Sequence, residues 1–75
     1  MNSPPIPTFD IFSGYFGAKN AMWIEAVEGL GNAADRMRVF AAEKPGAYFV
    51  FCAATRQVLA TIDTTPKLES KRNIG

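Results

Sequence analysis

Apolar and polar positions along the chain fall into five periodic blocks. Thr8-Phe9-Asp10-Ile11-Phe12-Ser13 is aromatic and β-branched and stops at Gly14, which predicts a first strand. Tyr15-Phe16-Gly17-Ala18-Lys19-Asn20 carries turn-forming residues and predicts a connecting loop whose two aromatics fold back onto the domain. Met22-Trp23-Ile24-Glu25-Ala26-Val27 follows as a second strand. From Leu30 the period changes, with apolar residues at Leu30, Ala33, Ala34, Met37, Phe40 and Ala41, one stripe of a helix. Asp35, Arg36, Arg38 and Glu43 form its polar side, and Pro45-Gly46 stops it just after Lys44. Ala47-Tyr48-Phe49-Val50-Phe51-Cys52-Ala53 and Val58-Leu59-Ala60-Thr61-Ile62-Asp63, separated by a short polar interruption, predict a β-hairpin.

The expected fold is therefore α+β, of order ββαββ: a four-stranded antiparallel sheet with one helix, about Leu30 to Lys44, packed on one face. Residues 1–7, with three prolines, read as an extended leader, 8–64 as a single domain, and 65–75 as a polar flexible tail.

One helix covers one face of such a sheet, so a protein that stands alone should show a polar second face. The strands do not alternate that way. Strand three sets Tyr48, Val50 and Cys52 against Phe49, Phe51 and Ala53, and both sets are apolar. Strand two sets Met22, Ile24 and Ala26 against Trp23, Glu25 and Val27, and strand one sets Phe9 and Ile11 against Asp10 and Phe12. A large apolar face in water marks an interaction surface, and aromatic residues are enriched in interface cores. A homodimer burying Phe12, Trp23, Val27, Tyr48 and Val50 is the expected solution. The competing solution is a monomer in which Tyr15, Phe16 and the proline leader fold over that face.

Composition narrows the remaining chemistry. A 75-residue chain buries only about 60% of the surface its unfolded form exposes, so it benefits from a disulfide, a metal or a partner. Cys52 is the only cysteine and histidine is absent, which excludes an intramolecular disulfide and an ordinary Cys/His zinc site. No cofactor is expected. The leader has neither the basic nor the apolar stretch of a secretory signal, and no run approaches membrane-spanning length, so the expected location is the cytoplasm, away from membranes. Eight Lys and Arg against seven Asp and Glu give a net charge of +1, which selects no partner by electrostatics.

Catalytic constellations are missing. Without histidine there is no Ser/His or Cys/His pair, and Cys52 among apolar neighbours reads as a small buried hydrophobe. Asp10, Glu25 and Glu28 could approach one another across strands one and two, although strand carboxylates are usually solvated or paired with Lys and Arg. Asp35 and Arg38, three apart, predict a surface ion pair. Gly29-Leu30-Gly31 precedes the helix as a phosphate loop would, but lacks the third glycine and the Lys-Ser/Thr pair, so it reads as a tight turn. Lys44-Pro45-Gly46-Ala47-Tyr48-Phe49-Val50-Phe51 faintly matches the base-stacking strand of RNA-recognition sheets, with Lys67, Lys71 and Arg72 as basic tail contacts. That signature wants an aromatic where Ala47 stands. Nucleic acid is therefore the alternative partner, behind a second copy of the chain or another protein, and no enzymatic activity is expected.

Trp23-Ile24-Glu25-Ala26-Val27-Glu28-Gly29-Leu30, Ala33-Ala34-Asp35-Arg36-Met37 and Lys44-Pro45-Gly46-Ala47-Tyr48-Phe49-Val50-Phe51 together resemble small uncharacterised bacterial proteins with a strand, "EGL", helix, "KPG-YFVF" layout. The resemblance covers residues 8 to 63, implies the same ββαββ order, and brings no activity with it.

Overall fold

The structure, a computed structural model, describes residues 6–66, so Lys67, Lys71 and Arg72, most of the tail and residues 1–5 lie outside the described residues. The elements run β1 (Thr8–Ser13), β2 (Met22–Glu28), α1 (Leu30–Glu43), β3 (Ala47–Cys52) and β4 (Gln57–Asp63). They form an α+β fold in which one antiparallel sheet of order β2-β1-β3-β4 carries the helix on one face. Both β2 and β3 pair antiparallel with β1, so they run parallel to each other on either side of it, and α1 crosses over β1 to join them. β2 and β4 are the edges.

The helix docks through small residues. Ala33, Met37 and Ala41 are buried at successive turns, and the two alanines let the helix approach Phe9, Ile11, Tyr48 and Val50 closely while Met37 fills the space between them. Ile11 and Val50 are fully enclosed. The buried stripe is narrower than the sequence pattern, because Leu30 remains exposed and Ala34 and Phe40 are only half-buried.

Backbone groups at the helix ends find specific partners, as isolated helix termini require. Gly29 at the start takes a positive φ of 87° that suits glycine, and its N–H donates to Pro7 O at 2.8 Å. At the other end Lys44 is extended, and three donors reach the last turn and its exit. Lys44 N donates to Phe40 O at 2.8 Å, Tyr48 Oη to Lys44 O at 2.5 Å, and Thr64 Oγ1 to Ala41 O at 2.9 Å. Thr64 N also donates to Gly46 O at 2.9 Å, which ties the end of β4 to the helix exit. The expected Asp35–Arg38 pair forms at 2.8 Å on the exposed helix surface, where such pairs contribute little.

A β-bulge in β2 reorganises its faces. Ile11 pairs with Glu25 and Phe12 with Trp23, so Ile24 is an extra residue and the two-residue alternation breaks there. Val27 and Glu25 stand opposite Phe9 and Ile11 on the helix side, whereas Trp23 and Ala26 share the other side with Phe12 and Asp10. A second irregularity lies between β3 and β4, where Val50 pairs with Ala60 and Phe51 with Val58. Both edges of the sheet therefore carry a bulge.

Candidate functional site

The face without the helix holds a second, aromatic cluster. Phe12 on β1 stacks on Phe49 of the adjacent β3, with ring centroids 4.9 Å apart and planes 4° from parallel, and meets Phe51 edge-on at 6.2 Å. Phe16 reaches in from the β1–β2 loop, edge-on to Phe49 at 5.7 Å and stacked over Phe51 at 5.7 Å. Offset and edge contacts of this kind suit aromatic quadrupoles. Phe49 is only 4% exposed, but the outer rings are not: Tyr15, Phe16 and Trp23 are 60%, 61% and 58% exposed. Residues 14–21 thus form a strap that covers the centre of the face and leaves its own outer surface in water.

Two glycines shape that strap. Gly14 has φ 102° and Gly17 φ 88°, both in the region that favours glycine. A Cβ on Gly14 would lie 3.0 Å from Ala21 Cα, so the two ends of the strap touch through backbone. Gly14 N donates to Ala47 O at 2.7 Å, and the turn closes through Ala18 N to Tyr15 O at 2.9 Å and Ala21 N to Ala18 O at 3.2 Å. The Tyr15 hydroxyl donates to Asp63 Oδ2 at 2.5 Å. That hydrogen bond, with the repulsion a phenolate would feel from the same carboxylate, holds the Tyr15 hydroxyl above the usual tyrosine range. A cavity of about 210 Å³ remains between the strap and β3–β4, lined by Phe16, Phe49, Thr61 and Ile62.

Trp23 lies beside Phe12 across the β1–β2 pairing, and its Nε1 donates to Asp10 Oδ1 at 3.2 Å. Of the five residues expected to form an interface, Phe12 and Trp23 occupy this face. Val27, Tyr48 and Val50 do not, and this corrects the sequence reading. The bulge turns Val27 to the helix side, and Tyr48 and Val50 are buried beneath α1, with the Tyr48 hydroxyl engaged by the helix exit. The opposite set of β3, Phe49 and Phe51, takes their place. Tyr15 and Phe16 fold over the sheet as their position before Gly17 suggested.

Of the three carboxylates that could approach one another, Glu25 is set apart from the other two and takes the ion pairing favoured for strand carboxylates. Asp10 faces the aromatic side, while Glu25 faces the helix and pairs with Arg36 at 2.9 Å, whose guanidinium lies 4.9 Å from the Phe40 ring centroid. By register Asp10, Glu28 and Asp63 all belong to the aromatic face, and their charge would oppose phosphate there. Among the described residues no group of three or more His, Cys, Asp or Glu is placed to hold a metal ion. Cys52 is half-buried, and hydrogen bonds from the Thr55 side chain and backbone lower its thiol pKa. No described helix is long and apolar enough to cross a membrane.

A separate groove of about 600 Å³ runs between the helix exit and the start of β2, lined by Met22, Ile24, Phe40 and Tyr48 with Lys44 and Glu43 at its rim. Its two rim charges oppose each other, so it favours no ionic ligand. No family model, curated protein or solved structure matches the chain.

Proposed function

We propose that this protein is a non-enzymatic interaction module that pairs with a second copy of itself through the aromatic sheet face. The observation that carries this reading is Trp23: a large ring more than half exposed, placed by a bulge onto the face that already holds Phe12, Phe16, Phe49 and Phe51. Large apolar side chains grouped on one surface are what interfaces use as anchors. Pairing through the face is favoured over pairing through an edge strand, because both β2 and β4 carry bulges, and bulges blunt an edge against adding a further strand.

Sedimentation velocity from micromolar to millimolar protein tests this. The expected result is a mass that rises from monomer to dimer, with Trp23→Ala weakening the dimer at least about thirtyfold, the effect of losing a hot-spot aromatic. A Trp23→Ala dimer as tight as wild type would remove the face from the interface.

A further inference from the structure

We infer that the Asp10–Trp23 corner of the aromatic face is an arginine-binding site, which takes the guanidinium of an extended, basic segment of another protein. This goes beyond the pairing proposed above and does not depend on it.

Asp10 is the exception among the carboxylates of this fold. Glu25 has Arg36 at 2.9 Å and Asp35 has Arg38 at 2.8 Å, but among the described residues no Lys or Arg pairs with Asp10. It is half-buried, opposite Ala26 on β2 and Phe51 on β3, and Phe16 stacks over Phe51 at 5.7 Å. Its one described hydrogen bond comes from a neutral donor, Trp23 Nε1, at 3.2 Å. A carboxylate held among apolar side chains loses hydration, and a paired cation restores most of what is lost.

Trp23 supplies the other half of the site. Its ring is 58% exposed, and among the described residues no aromatic ring or cation is placed on it. Indole is the best aromatic seat for a cation, and a planar guanidinium stacks on it while its N–H groups reach sideways to an acceptor. Because Trp23 Nε1 already touches Asp10 Oδ1, one guanidinium can lie on the ring and donate to the carboxylate at the ring's edge. Ala26, small and exposed opposite Asp10, leaves the approach open. A lysine ammonium is compact and strongly hydrated and has no plane to stack, so it fits this pair of groups less well.

Register extends the site along the sheet. Glu28 is exposed on the same face, diagonally across β1 and β2 from Asp10, a separation of about 7–8 Å. Alternate side chains of an extended chain are about 7 Å apart. A segment with basic residues at every second position therefore meets Asp10 with one and Glu28 with the next. Charge complementarity favours such a segment over a second copy of this chain, whose Arg36 and Arg38 are already committed to Glu25 and Asp35.

The test titrates the peptide acetyl-Arg-Ala-Arg-amide into micromolar protein and follows the fluorescence of Trp23, the only tryptophan. The control peptide carries citrulline at both arginine positions, which keeps the planar head and removes the charge. The arginine peptide should bind with a dissociation constant on the order of 1–10 mM, and the citrulline peptide at least about tenfold more weakly. Asp10→Asn keeps an acceptor for Trp23 Nε1 but loses the charge, and should weaken binding about tenfold; Glu28→Gln, at an exposed pair, should weaken it about two- to fivefold. Equal binding of the two peptides would reduce the corner to an apolar seat, and no response of Trp23 to the arginine peptide at about 50 mM, or unchanged affinity in Asp10→Asn, would likewise overturn the site. The comparison of the two peptides uses wild-type protein, so it decides the question even if Asp10→Asn fails to fold. Sedimentation of the protein without peptide reads self-association separately, so failure of the arginine site and failure of the pairing are told apart.

Discussion

Replacing Phe49 with alanine tests whether the helix-free face is a second core or a decorated surface. Phe49 is 4% exposed although no helix covers it, because Phe12 stacks on one side and Phe16 abuts it from the strap. Phenylalanine-to-alanine changes in cores cost about 3–5 kcal/mol, and the one-sided strap can partly collapse into the space, so about 3 kcal/mol is expected. A 75-residue domain holds about 4–11 kcal/mol in total, so the variant should sit close to unfolding. Phe16, at 61% exposure, buries about 80 Å² of a ring of roughly 200 Å²; at about 25 cal/mol per Å², Phe16→Ala should cost about 2 kcal/mol at most.

The two changes should not add. Phe16 rests on Phe49 and Phe51, so once Phe49 is gone Phe16→Ala should cost about 1 kcal/mol less than it does in wild type. Equilibrium urea unfolding read by Trp23 fluorescence, at concentrations low enough that self-association adds nothing, measures all four corners of this cycle. A cost below about 1 kcal/mol for Phe49→Ala, or strict additivity, would mean that the strap is not seated on the sheet and that the second cluster does not stabilise the fold.

Two further outcomes follow from the strap. Gly14→Ala must place a side chain at φ 102°, 3.0 Å from Ala21 Cα, and should cost about 1–3 kcal/mol in urea unfolding; a change below about 0.5 kcal/mol would show that the strap can be rebuilt cheaply. The raised Tyr15 pKa means that the Asp63 hydrogen bond contributes fully below the unperturbed value of 10.0 and is lost as pH rises through the higher folded value, so phenolate absorbance, with Tyr15→Phe as the blank, should titrate above 10.0 and a midpoint at or below it would exclude the bond.

Elements were legible where a local period dictates them. The helix stripe through Ala33, Met37 and Ala41, its stop at Pro45-Gly46, and all four strands read from sequence to within a residue at each end. The assignment of faces was not. In β2, counting by twos groups Val27 with Trp23, and neither glycine nor proline marks Ile24 as the extra residue that sends them to opposite sides. In β3 every residue is apolar, so alternation says which residues share a side but not which side the helix takes. A signal did exist in Tyr48. Its hydroxyl needs a partner once buried, and the unpaired carbonyls at the end of the helix, four residues upstream, are the nearest source. Only the helix side supplies them, so Tyr48 and Val50 go under α1 and Phe49 and Phe51 are left for the strap.

Two apolar faces on one small sheet require two covers, and the covers are unequal. The helix encloses Ile11 and Val50 completely and is tied down by Gly29 N to Pro7 O at its start and by the Tyr48 and Thr64 hydroxyls at its exit. The strap meets its face through the exposed Tyr15–Asp63 hydrogen bond and the Phe16 ring, which keeps more than half its surface in water. Free energies of local opening follow the buried contacts that must be broken, so the strap should open well before the helix leaves the sheet. The apolar content that makes β3 hard to read from sequence is then what the fold uses twice: Tyr48 and Val50 hold the helix, while Phe49 and Phe51 hold the strap.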